Sequence, residues 1–213
     1  MVKRDSPGGG GGQIFDGATV FQGEGDIEFA GNLQDSLTGV SGDAEGQVLS
    51  PPVPQDQQVG IYSNDGTSGA AQVTVDQPRV TDFEVQNENG EDIAGGSIGK
   101  TDANLIVVAD YNYEQAEPLE LTVEEEGGLD ITNDVVAQSA IKNPINSPAN
   151  PNTDFDVGYT VDLTDQSAGT YTIEVAGEDD LDFGSAVEST TVEVRAQDNV
   201  GIEMDSDTVT QGE

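Results

Sequence analysis

Cysteine, histidine and tryptophan are all absent from the 213 residues, and lysine and arginine together number only 6. Without cysteine there is no disulfide, redox thiol or thiolate ligand. Without histidine the His-assisted serine and cysteine hydrolases, Cys/His zinc sites and haem ligation by these residues are excluded as well. The scarce cations, among them only Lys3, Lys100 and Lys142 as lysines, form no basic stripe that could neutralise phosphates. Nucleic acid is therefore excluded as a partner, and an anionic membrane surface is disfavoured. No apolar stretch reaches the roughly 18 residues that a membrane-spanning helix needs. Met1-Val2-Lys3-Arg4 is too short and too charged to open a signal peptide, and the run Gly8 to Gly12 reads as a linker, so residues 1–13 are expected to be a flexible tail. Gly8 to Gly12 is no phosphate loop either, since neither a preceding strand nor a Gly-Lys-Ser/Thr ending accompanies it.

What the chain has in abundance is acid. Asp and Glu number 42, for a formal net charge of -36 and a pI near 4.1. Val, Ile, Leu and Phe make up about 23% of the chain, just above the level at which high charge implies disorder. The expected core is thin. Mass scaling puts the folded surface at about 9,400 Å², or roughly 260 Å² and a spacing of about 16 Å per net charge. That spacing is only about twice the Debye length at physiological salt, so repulsion accumulates over the surface, whereas molar salt screens it within a few ångströms. The composition predicts a salt-adapted protein.

Val and Ile outnumber Leu 34 to 9, and 17 Thr and 27 Gly accompany them. This is strand and turn composition, no long amphipathic helical window interrupts it, and the expected fold class is all-β. Strands are expected at 18–21, 27–30, 46–49, 59–63 and 71–75, and then at 80–86, 104–111, 119–125, 129–136, 155–163, 170–176 and 190–194. Tyr171, Ile173 and Val175 should share one face, as should Thr81, Phe83 and Val85. Asn89-Gly90 signals a tight turn, and residues 143–152, with Pro144, Pro148 and Pro151, a surface loop. A boundary falls near Gln77-Pro78, because the residue before proline is held extended. The expected organisation is a small β module over 14–77, an immunoglobulin-like β-sandwich over 78–195, and at 196–213 a linker or the start of a further module.

Two internal echoes support a tandem array of immunoglobulin-like sandwiches. Gly60-Ile61-Tyr62 and Gly169-Thr170-Tyr171 each place a tyrosine at the start of a late strand, where its hydroxyl can bond back to the chain as a corner. Val20-Phe21-Gln22-Gly23-Glu24 is matched by Val209-Thr210-Gln211-Gly212-Glu213.

The segments Ala18-Thr19-Val20-Phe21-Gln22-Gly23-Glu24-Gly25-Asp26-Ile27, Gln58-Val59-Gly60-Ile61-Tyr62 and Val73-Thr74-Val75-Asp76-Gln77-Pro78-Arg79-Val80-Thr81-Asp82-Phe83-Glu84-Val85 resemble the amino-terminal portion of the haloarchaeal S-layer glycoproteins. The resemblance implies a structural, non-enzymatic cell-envelope protein. It implies immunoglobulin-like modules, self-association into a two-dimensional lattice on the cell surface, dependence on salt and divalent cations, and membrane anchoring only through downstream sequence. One departure stands out. No Asn-x-Ser/Thr sequon occurs, since Asn146-Ser147 is followed by Pro148 and Asn152-Thr153 by Asp154. The alternative functional reading is a secreted or surface-displayed adhesive module built from the same tandem sandwiches. A third is an accessory domain of an extracellular hydrolase.

The densest acidic clusters are Glu124-Glu125-Glu126 and Asp179-Asp180 with Asp182. Hard cations such as Ca²⁺ or Mg²⁺ need several converging oxygens, which a turn between strands can supply, and Asp180 and Asp182 point the same way in an extended segment. With 42 acids, such clusters also arise by chance as solvated surface. No catalytic residue and no required cofactor is expected. Paired carboxylates could serve a glycosidase, but the missing tryptophan removes the usual sugar platform.

Overall fold

The computed structural model describes residues 12–136 and 155–196, together with the backbone of 141–142. The expectations placed on residues 1–11, on the proline-containing loop at 143–152 and on the Gln211-Gly212-Glu213 echo lie outside the described residues.

The amino-terminal unit comprises β1 (Gly12–Ile14), β2 (Thr19–Phe21), β3 (Ile27–Phe29), β4 (Leu37–Gly39), β5 (Val48–Leu49), β6 (Gly60–Ser63) and β7 (Gln72–Asp76). Five of them form a sheet in the order β2-β7-β6-β4-β5, while β1 and β3 pair separately and in parallel. In β7, Val73 and Val75 point into the core beside Tyr62 and Leu37, and Thr74 between them faces water. That is the period of two that a half-buried strand requires.

The second unit comprises β8 (Val80–Gln86), β9 (Ser97–Gly99), β10 (Asn104–Tyr111), β11 (Leu119–Glu125), β12 (Leu129–Asp130), β13 (Ile141–Lys142), β14 (Val157–Asp162), β15 (Gly169–Gly177) and β16 (Glu188–Arg195). One sheet runs β13-β14-β10-β8 and the other β12-β11-β15-β16-β9, with β9 parallel to β16 and the other pairings antiparallel. This is the strand order of an immunoglobulin-like sandwich, four strands facing a sheet built on the late hairpin β15–β16. The all-β expectation is met. Val107, Leu105, Val161, Ile173 and Val192 fill the space between the sheets.

Both tyrosine corners form. The Tyr62 hydroxyl donates to the Gln58 carbonyl at 2.7 Å and the Tyr171 hydroxyl to the Ser167 carbonyl at 2.6 Å, each four residues upstream. Asn89-Gly90 turns as expected: Gly90 takes a φ of 78° and donates to the Asn87 carbonyl at 2.9 Å.

Two expectations are corrected. Residues 129–136 do not make one strand. After β12 the Asp130 carboxylate accepts the Thr132 N–H at 2.8 Å and the Thr132 hydroxyl oxygen accepts the Val123 N–H, so the chain turns into a four-residue helix, Thr132–Val135. The shared face of Thr81, Phe83 and Val85 also fails at its start. A register shift opposite Asp110 and Tyr111 inserts one residue, which buries Val80 and leaves Thr81 exposed while Val85 stays buried.

Candidate functional site at the joint between the units

The chain enters the second unit at one pole. Val80 of β8 lies opposite Tyr111 at the end of β10, Leu119 opens β11 opposite Gly177 at the end of β15, and the Tyr159 hydroxyl bonds the Leu119 carbonyl to tie the two sheets there. Against this pole sits the segment Phe21-Gln22-Gly23-Glu24-Gly25, which runs on from the last residue of β2. Phe21 packs edge-on against Tyr113, with ring centroids 6.3 Å apart, and Tyr113 packs in the same way on Tyr111 at 4.8 Å. Such pairs contribute about 0.5–1.5 kcal/mol beyond the area they bury. The Tyr113 hydroxyl reaches the Ala186 carbonyl at 3.0 Å, and burial together with the Glu117 charge raises its pKa, so it stays a neutral donor.

Two carboxylates organise the joint, and they are the two buried acids among the described residues. Glu24 is 5% exposed and Glu117 7%. Glu24 Oε2 accepts the Phe21 N–H at 2.9 Å and so closes the loop that presents Phe21. Glu117, just before β11, accepts three backbone N–H groups from the loop between β15 and β16: Leu181 at 2.9 Å, Asp180 at 3.1 Å and Asp179 at 3.4 Å. Burial pushes the Glu117 carboxyl above its ordinary value, and the three N–H bonds oppose that shift. Gly177 makes room for the carboxylate, since a Cβ there would lie 2.1 Å from Glu117 Oε1.

The loop curled around Glu117 reaches back across the boundary. Asp180 Oδ2 accepts the Gly25 N–H at 3.1 Å, and Gln77 Nε2 donates to the Ser185 hydroxyl at 3.3 Å. The link itself is pinned by Asn112, which accepts the Arg79 N–H and donates to the Gln77 carbonyl, both at 2.9 Å. Gly23 has a φ of 85° and lies against the Phe183 ring, where a Cβ would sit 2.4 Å from Cε1. Glycine is required there twice, for the left-handed backbone and for the close approach.

The two acidic clusters picked out from the sequence are not brought together. Asp179, Asp180 and Asp182 lie in the loop beyond Gly177, whereas Glu124, Glu125 and Glu126 lie where β11 ends opposite Tyr171. Six residues of strand, about 20 Å, separate the two poles. Asp179 and Asp180 do not run extended, because their N–H groups converge on Glu117. The Asp180 carboxylate is directed at Gly25, and Asp182 is exposed. Glu124 and Glu125 are half-buried at the sheet end and Glu126 stands exposed in the turn with Gly127 and Gly128. Among the described residues no group of three or more acidic side chains is arranged to hold a metal ion. An open cleft of about 770 Å³ beside the joint is lined by Asp26, Glu28, Pro51, Pro52, Val53 and Asp180. Sequence reasoning missed Glu117 and Tyr113. It did single out Phe21-Gln22-Gly23-Glu24, but as an echo and a resemblance rather than as a contact.

No family model matches the chain. A cell surface glycoprotein of Haloarcula marismortui is 44% identical over 98% of this chain and 26% of its own length. One of Haloarcula japonica is 42% identical over 95% and 26%, and one of Halobacterium salinarum 35% identical over 94% and 25%. The chain thus spans about a quarter of the length of these relatives. Among solved structures, the eight amino-terminal Ig domains of Down Syndrome Cell Adhesion Molecule align with 86% of this chain and 24% of that one, at 10% identity and a TM-score of 0.29. A score of that size carries no argument, and the immunoglobulin-like assignment stands on the strand order alone.

Proposed function

We infer, from the homology of this chain to the amino-terminal portion of the haloarchaeal cell surface glycoproteins, that it is a non-enzymatic structural segment of a cell-surface protein in brine, a building block of an S-layer lattice. The observation that carries the reading is the joint. Glu24 Oε2, both Glu117 oxygens and Asp180 Oδ2 each face a backbone N–H, and Phe21 is seated on Tyr113. The carboxylates serve geometry, and the two β units are held as one stiff piece. Such a piece transmits force along a sheet, whereas units on a free linker would swing relative to one another.

Concentrated salt screens the 36 net charges between copies. Acidic side chains at the sheet end and in turns, with half-buried Glu124 and Glu125 and exposed Glu126 and Asp182 as candidates, meet neighbours with Ca²⁺ or Mg²⁺ between them. The test is electron cryotomography of cells carrying the full-length protein, before and after chelation. A periodic sheet that dissolves on chelation is the expected result. Sparse, unordered display overturns the lattice, and a sheet indifferent to chelator overturns the cation bridges.

A further inference from the structure

The last strand of each unit ends in the same way. The three final residues of β7, Thr74, Val75 and Asp76, pair in parallel with Thr19, Val20 and Phe21 of β2, and on the other edge Thr74 and Val75 pair antiparallel with Ile61 and Gly60 of β6. The three final residues of β16, Glu193, Val194 and Arg195, pair in parallel with Ser97, Ile98 and Gly99 of β9, and on the other edge Glu193 and Val194 pair antiparallel with Thr170 and Gly169 of β15. Each of β2 and β9 is the second strand of its unit, three residues long, and the parallel member of a sheet whose other pairings are antiparallel. The Thr74 N–H donates to the Ala18 carbonyl at 2.9 Å and the Gln22 N–H to the Asp76 carbonyl at 3.0 Å, and the Glu193 N–H donates to the Gly96 carbonyl at 3.0 Å.

Strand ends ordinarily fray, yet these two are bonded along both edges where the chain leaves. Val80 enters the second unit at the pole beside the joint and Arg195 leaves at the opposite one, so tension on the chain runs along β8 and β16 and across their ladder bonds. Bonds crossed in this way share the load and give way together, whereas a strand drawn sideways loses them singly. The link carries the load from β7 into β8 under the grip of Asn112, whose Nδ2 donates to the Gln77 carbonyl and whose backbone N–H donates to the Arg79 carbonyl at 3.1 Å. We propose that β2 and β9 are tension clamps, which hold the exit strand of each unit against force along the chain. A parallel neighbour only three residues long adds little to a resting sheet, about 1 kcal/mol per ladder bond, but at the exit it closes the edge from which peeling would start. The proposal rests on the reading of this chain as a structural segment that carries force, and its test needs no lattice.

The test is optical-tweezers stretching of the 213-residue chain in 3 M salt, held by its two ends. Glu193→Pro removes the N–H that the Gly96 carbonyl accepts, and at constant force it should raise the unfolding rate of the second unit about tenfold. Ser189→Pro, on the same edge of β16 but upstream of β9, should leave that rate within about twofold. The second comparison uses two pulling axes. Held instead through Ala168→Cys and Ala196→Cys, which flank the Gly169–Val194 pair in this cysteine-free chain, the second unit should yield at a markedly lower force, because β16 then peels from β15 bond by bond. Equal rates in the two proline variants, or equal forces along the two axes, overturn the proposal. If Glu193→Pro does not fold, the two axes decide the question alone. Failure of the clamp leaves the lattice reading standing, while sparse display on cells removes the lattice and leaves the force measurements as they are.

Discussion

Asp180 and Gly25 are 155 residues apart in the chain and 3.1 Å apart in space, the carboxylate of one unit accepting the backbone N–H of the other. The contact is tight on the glycine side, since a Cβ on Gly25 would lie 2.2 Å from Asp180 Oδ2. Gly25→Ala should open the joint without touching either core. Its cost should shrink when Asp180→Ala is added, because the smaller side chain vacates the space. Thermal denaturation of the four species gives the coupling. Asp180→Ala alone should cost under about 1 kcal/mol, the contact being solvent-exposed, and additive effects would contradict the contact.

Glu117→Gln places an amide NH₂ against one of three backbone donors and should cost about 1–3 kcal/mol at neutral pH, read by denaturant unfolding. The pH dependence has a definite sign. The folded pKa is raised above the ordinary 4.5, so the folded state binds more protons between the two values. The Glu117 contribution therefore rises as pH falls from the folded pKa towards 4.5, and the stability gap between wild type and Glu117→Gln should widen over that window.

The Asp162 carboxylate shows the opposite sign. Its bonds from the Thr164 hydroxyl at 2.6 Å and the Thr164 N–H at 3.0 Å hold its pKa below 3.8, so its contribution is complete above 3.8 and lost as pH falls through the folded value. Acid titration followed by NMR should show Asp162 titrating late, and Thr164→Val should return it towards 3.8.

Removing a corner hydroxyl should cost about 1 kcal/mol for Tyr171→Phe. Tyr62→Phe should cost more, because the Tyr62 hydroxyl also accepts from Gln57 Nε2 at 2.7 Å and Gln57 is buried. Equal losses in urea unfolding would show that Gln57 finds another partner.

The strands with alternating Val, Ile and Tyr were legible, as β8, β10 and β11 start and end where the pattern does. Both corners were legible from Gly-x-Tyr. The short strands β4 and β9 were not, because Leu37–Gly39 and Ser97–Gly99 are held extended by their neighbours and not by their own composition. The joint was least legible. Glu117 is one of 42 acids until the fold sets the N–H groups of Asp179, Asp180 and Leu181 around it. Spacing also made Asp180 a cation candidate, whereas the backbone it meets, Gly25, comes from the other end of the chain.

The stiffness of the two-unit piece is tested most directly by residual dipolar couplings measured on the wild-type chain in 3 M salt. One alignment tensor should fit the amides of residues 14–76, 80–136 and 155–195 together, and Gly25→Ala should split it. Two independent tensors in the wild type would contradict the account.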